Sequence, residues 1–163
     1  MVEAEHQQLI SALFEHEINA ASALFDTLRQ EHAALAGNDI PAIEQAVAGK
    51  QPLASRLDIL IKQHEEMLRS VGYSAEPAGI ESYIRERDPH GVHRLNLTWE
   101  KLRALSAACR YQNQVNGAVI AINRINVQRA LSILRGHPPE SEGCYSASGA
   151  TQPKSRAQSL GRA

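Results

Sequence analysis

The sequence predicts an all-α protein: an antiparallel bundle, or coiled-coil-like hairpin, of three long helices with a flexible C-terminal tail. Three observations lead there. Apolar residues recur in steps of three and four along three long stretches of the 163-residue chain. Aromatic residues make up only 4% of it, and the apolar side chains are mostly Ala, Leu, Ile and Val. Small and aliphatic side chains interlock along narrow helix–helix seams better than they fill a wide core. Glycine and proline, finally, gather between the stretches and after the last one. The expected organisation is a helical domain over 1–135 and a tail over 136–163.

The first helix is expected over about residues 3–36. Ile10, Phe14, Glu17, Ala21, Leu24, Leu28, Glu31 and Leu35 step by four and three alternately, and Leu13, Ile18 and Phe25 widen that seam. Gly37-Asn38 is a stop signal, and Asn38 or Asp39 can cap the next helix. The second helix is expected from about Ile40 to Ser70, with Ile43, Val47, Lys50, Ala54, Leu57, Ile61, His64, Leu68 and Val71 as its seam. Pro52 removes a backbone donor and crowds the preceding turn, which predicts a kink rather than a break because the seam stays in phase. Residues 72–93, punctuated by Pro77, Gly79, Pro89 and Gly91, read as a loop in which only Ile80 to Arg87 can make a short helix. The third long helix runs from about Arg94 to Arg135, roughly 60 Å at ~1.5 Å per residue. Its first half carries Leu95, Trp99, Leu102, Leu105 and Cys109. Its second half, with Val115, Val119, Ile122, Val127, Leu131 and Leu134 plus Ile120, Ile125 and Ile133 on adjoining faces, is apolar around more of its circumference than one partner helix needs. Gly136 and His137-Pro138-Pro139 stop it. Beyond them Ser, Gly, Pro and Ala dominate, too little apolar surface to offset the entropy of ordering.

Composition narrows the function. A formal net charge of -1 argues against a nucleic-acid binder, which needs a basic face to replace phosphate counterions. The acidic opening MVEAEHQQLI lacks the form of a secretory signal, and no apolar run is long enough to span a membrane. Cys109 and Cys144 match no metal or disulfide spacing, so a reduced, cytoplasmic protein is expected.

No cofactor and no catalytic centre are expected either. Glu3 and His6 have the Glu-x-x-His spacing of di-iron bundles, but no second such pair occurs in the other long helices. His90 and His93 sit beside Pro89 and Gly91 and read as surface residues. His64 falls on a seam, where a buried, hydrogen-bonded histidine is the better reading than a ligand or base. Glu15, His16 and Glu17 are consecutive and point to different helix faces. No nucleophile–base arrangement and no phosphate-binding glycine loop is present.

Helix three also carries polar insertions: Gln112, Asn113, Gln114, Asn116 and Gly117, then Asn123 and Asn126. Asparagine and glycine lower helix propensity, so their density needs a cause. Register control is favoured for Asn113 and Asn116, with a close-approach groove at Gly117 as the alternative. For the apolar face from Val119 to Leu134, core packing and partner binding stand nearly level, since neither excludes the other.

The order of these segments, with IEQAVAGKQPLASRLDIL in helix two, NQVNGAVIAINRINVQRALSILRG in helix three and YSASGATQ in the tail, resembles the FlgN family of flagellar export chaperones for hook–filament junction proteins. The Asn-x-x-Asn-Gly of Asn113 to Gly117, leading into Arg124 and Gln128 to Leu134, is the most family-like part. The resemblance implies a cytosolic protein that keeps hook-associated proteins soluble before export, binding their terminal helical segments. It places client contacts at Val119, Ile122, Asn126, Val127, Ala130, Leu131 and Leu134, and docking at the export gate at Tyr145. Exposed seam surface also allows self-association. The alternative from another class is a scaffolding coiled-coil protein with a permanent partner.

Overall fold

A computed structural model of the protein describes residues 2–136, with the side chains of residues 5–136. The described residues form four helices and no strand: α1 (Val2–Gly37), α2 (Ile40–Ser70), α3 (Pro77–Arg87) and α4 (Leu95–Leu134). The three long helices lie where the apolar periodicity placed them. The expected count of three is short by one, because the punctuated segment between the second and third folds a regular helix of its own. Pro77 supplies the preset backbone angle at the first helical position, and helix formation therefore starts three residues earlier than Ile80.

The connections follow local chemistry. After α1, Asn38 adopts a left-handed φ of 51°, and the amides of Asn38 and Asp39 close on the carbonyls of Leu35 and Ala34. Asp39 then caps α2 by accepting from the Ala42 amide at 3.1 Å. Gly72, at φ 86°, ends α2 in the same way, its amide and that of Tyr73 bonding back to Arg69 and Leu68. Gly79 is required for space: a Cβ there would stand 2.2 Å from the Ser74 carbonyl oxygen. Between α3 and α4 the buried Asp88 carboxylate accepts from the amides of His93 and Leu95, both at 3.1 Å, and so fixes the loop and caps the last helix. α2 continues through Pro52 without a break.

The chain divides into two compact units, Met1–Ile120 and Ala121–Ala163. In the first, α2 runs back along α1, and α4 runs in the same direction as α1: Trp99 stacks on Phe14, Cys109 meets Ala21, and Asn116 meets Leu28. The main core gathers Ile10, Phe14 and Ile18 of α1, Met67 and Leu68 of α2, Ile80, Tyr83 and Ile84 of α3, and Leu95, Trp99 and Leu102 of α4. The short α3 is therefore a structural member of the bundle. Every expected seam residue of α1 is buried or half-buried.

On α2 a third of the expected seam is displaced by one residue. Ile43, Lys50, Leu57, His64, Leu68 and Val71 are buried or half-buried as expected, but Val47, Ala54 and Ile61 are exposed. Their places are taken by Ala46, Leu53 and Leu60, and Met67 is buried beside the expected Leu68. Rows at i+3 and i+4 flank the same helical stripe, and the side from which the partner crosses decides which is covered. Of the second unit, the described residues continue α4 to Leu134, and Gly136, at φ 72°, closes the helix with its amide on the Ile133 carbonyl.

Candidate functional site

Two buried polar groups of the first unit have the residue types of a reactive site. His64 and Glu17 form a pair at 2.5 Å, both almost fully buried, with Phe14 edge-on to the imidazole. The pair joins α1 to α2 inside the seam, and Glu15 and His16 beside it are exposed, as consecutive helical positions require.

The second group ties three helices together. Asn116 of α4, 1% exposed, donates through Nδ2 to the Leu28 carbonyl at 2.8 Å and to Glu31 at 2.7 Å. Its Oδ1 accepts from Gln112 at 3.0 Å and from His32 Nδ1 at 3.1 Å. Both donors and both acceptor positions of the amide are thus used. The other oxygen of Glu31 takes Lys50 of α2 at 2.6 Å. One helical step either way would strand a buried carboxylate and a buried amide, so Asn116 sets the register of α4 on α1. Asn113 is exposed and takes no part in this arrangement. At Gly117 an added Cβ would meet nothing within 4 Å.

His64 and Glu17 also line a slot between α2 and α4. Cys109 is buried against the Ala21 carbonyl, and burial holds its thiol above the usual range despite Arg110 beside it. Among the described residues no cluster of three or more His, Cys, Asp or Glu is placed to hold a metal ion. His90 is exposed and His93 half-buried; the Glu3 side chain lies outside those described. No described helix is long and apolar enough to cross a membrane.

The apolar face expected to bind partners has a different character. Val119, in the first unit, is half-buried. Ile122, Asn126, Val127, Ala130, Leu131 and Leu134, all in the second unit, are exposed. They do not form one stripe. Val127, Leu131 and Leu134, stepping by four and three, make one row. Ile122 lies on the other side of the helix with Ile125 and Ile133, which the expected set omitted, and Asn126 and Ala130 fall between. Ile122 is 57% exposed, Val127 59%, Ile133 61% and Leu134 82%. Single exposed apolar residues are ordinary, but here several stand exposed in two rows of one helix. Tyr145 lies outside the described residues.

The FlgN protein family model matches residues 1–153. Among solved structures, a crystal structure described as a flagella synthesis protein FlgN of Pseudomonas aeruginosa is 29% identical, with a TM-score of 0.60 over 67% of this chain and 84% of that one. No curated protein matches the chain. A match over nearly the whole sequence, joined to a solved structure of similar fold, establishes that the chain belongs to the FlgN family.

Proposed function

We propose that the chain is a cytosolic chaperone of flagellar type III export that binds hook-associated proteins and keeps them soluble until they are exported. Family membership and the flagella synthesis protein among its relatives support a role in flagellum synthesis. The observation that carries the finer reading is the pair of apolar rows on the second unit's helix, exposed although the same residue types are buried in the first unit. A helical segment that waits to join a coiled coil exposes an apolar stripe while free. A client helix laid against Val127, Leu131 and Leu134, or against Ile122 on the other side, removes that stripe from water. Burying one such leucine or isoleucine contributes about 1.5–3 kcal/mol, and a few such residues suffice for a complex that can still release. Asn126 and Ala130 between the rows give a polar group to fix register and a small one to admit a close backbone. Tyr145 is assigned the separate role of docking at the export gate.

The test is a solubility assay. A terminal helical segment of a hook-associated protein, diluted from denaturant, is expected to stay in the supernatant with an equimolar amount of the full-length chain and to precipitate without it. Precipitation at the same rate in both samples contradicts the proposal. Tyr145→Ala is expected to keep the client soluble and lose only binding to the export gate.

A further inference from the structure

The first unit carries a second unfilled surface, a slot of about 580 Å³ between α2 and α4. Ile61 and Glu65 of α2 form one wall, and Arg103, Ala107 and Arg110 of α4 the other. Ala75, Pro77 and Ile80 close one end, so the slot continues past the amino end of α3 along the place that α3 itself occupies. The single tryptophan, Trp99, lies in its floor, and its indole N–H is buried without an acceptor among the described residues.

What α3 does in its part of this space defines what fits the remainder. It buries Ile80, Tyr83 and Ile84, the i, i+3, i+4 pattern of an amphipathic helix, and sets Glu81 on Arg103 at 2.7 Å. Arg110 lies seven residues, two helical turns, beyond Arg103 on the same face of α4. It is exposed and forms no ion pair among the described residues. On α2, Ile61 of the slot wall ends a row of Ile40, Val47, Ala54 and Ile61 at strict seven-residue spacing, all exposed. A heptad row of this kind matches another helix rather than a strand or a small molecule. Ala107 leaves room on α4 for a backbone to come close.

We propose that the slot is a docking site for an amphipathic α-helix of a partner protein, seated as α3 is, with an acidic side chain on Arg110. It is a site additional to the client surface proposed above, whose residues other than Val119 belong to the second unit.

Trp99 makes the test direct, because fluorescence of the full-length chain reports on the slot alone. The probe is a synthetic 18-residue amphipathic helix with Leu and Ala on one face and Glu along its edge, and its control has Lys in place of Glu. Saturable change in Trp99 emission is expected with the Glu peptide and at least about tenfold weaker binding with the Lys peptide, equivalent to ~1.4 kcal/mol. Ala107→Glu is expected to weaken the Glu peptide by about tenfold or more, and Arg110→Glu to reverse the preference between the two peptides. Both positions are exposed, so circular dichroism and the melting temperature should stay at wild-type values. The proposal is overturned if no saturable change occurs, if Ala107→Glu binds the peptide unchanged, or if the preference survives Arg110→Glu. It is equally overturned if sedimentation shows a dimer that Ala107→Glu converts to monomer, since the slot then belongs to a second copy.

Discussion

Two stretches of one helix, Leu95–Cys109 and Ile122–Leu134, are written in nearly the same residues and end in opposite environments. In the first, Leu95, Trp99, Leu102 and Cys109 are buried at steps of four and three against α1 and its neighbours. In the second, Ile122, Ile125, Val127, Leu131, Ile133 and Leu134 are all exposed. The difference teaches that apolar periodicity specifies a surface to be covered, while the supply of complementary rows decides whether the chain covers it itself. The first stretch meets Phe14, Ile18 and Ala21; the second stays exposed.

Substitutions should divide along that line. The largest effect is expected at Phe14, which is fully buried between Trp99 and His64: Phe14→Ala should cost about 3–5 kcal/mol in denaturant unfolding. Leu131→Ala should stay within about 0.5 kcal/mol by the same measurement. A large loss at Leu131 would mean that the second stretch is core.

Asn116 and Asn113 sharpen the comparison within the polar insertions. Asn116→Leu removes the donor to one Glu31 oxygen and to the Leu28 carbonyl and should cost about 2–3 kcal/mol, whereas Asn113→Ala, at an exposed helical position, should stabilise by a few tenths at about the scale of helix propensity. The glycines make a third pair. Gly79→Ala drives a Cβ into the Ser74 carbonyl and should destabilise by about 1–3 kcal/mol through forced backbone movement. Gly117→Ala meets open space and should stabilise α4 by about 0.5–1 kcal/mol.

The smallest effect is a pH dependence confined to the first unit. Burial raises the Tyr83 hydroxyl above its ordinary value of 10.0. The unfolded chain therefore ionises this phenol first, and the stability that Tyr83 contributes is intact below pH 10 and falls as pH climbs through the folded value. Thermal melts between pH 9 and about 11 should show that decline in the wild type and a weaker one in Tyr83→Phe.

Much of this was legible in the residues. The α1 seam, with Glu17 and Glu31 among its apolar neighbours, could be read because strict periodicity outweighs the polarity of single positions, and each glutamate is matched by a partner, His64 or Lys50. His64 as a buried, bonded histidine and Asn116 as a register device came from the same logic. The Ala46–Leu53–Leu60–Met67 row was not legible, since Val47 and Ile61 are at least as apolar as Ala46 and Leu60 and only the placement of α1 selects between the two rows. The α3 helix was underestimated because Pro77 and Gly79 carry the marks of a loop, while their roles, a helix start and a close backbone approach, depend on tertiary placement. Of the candidate site, the exposed rows could be located to the last part of α4 by their wide apolar circumference. Their division into two was hidden because Ile125 and Ile133 lie off the seam that periodicity traces.

The central claim is that the second unit's apolar rows bind clients and do not stabilise the fold. Titration calorimetry of the full-length chain with a terminal helical segment of a hook-associated protein, comparing wild type with Val127→Asp/Leu131→Asp, tests it most directly. The double variant should lose at least about a hundredfold in affinity, ~2.7 kcal/mol, while melting at the wild-type temperature. Wild-type affinity in the double variant, or a collapse of its melting temperature, would contradict it.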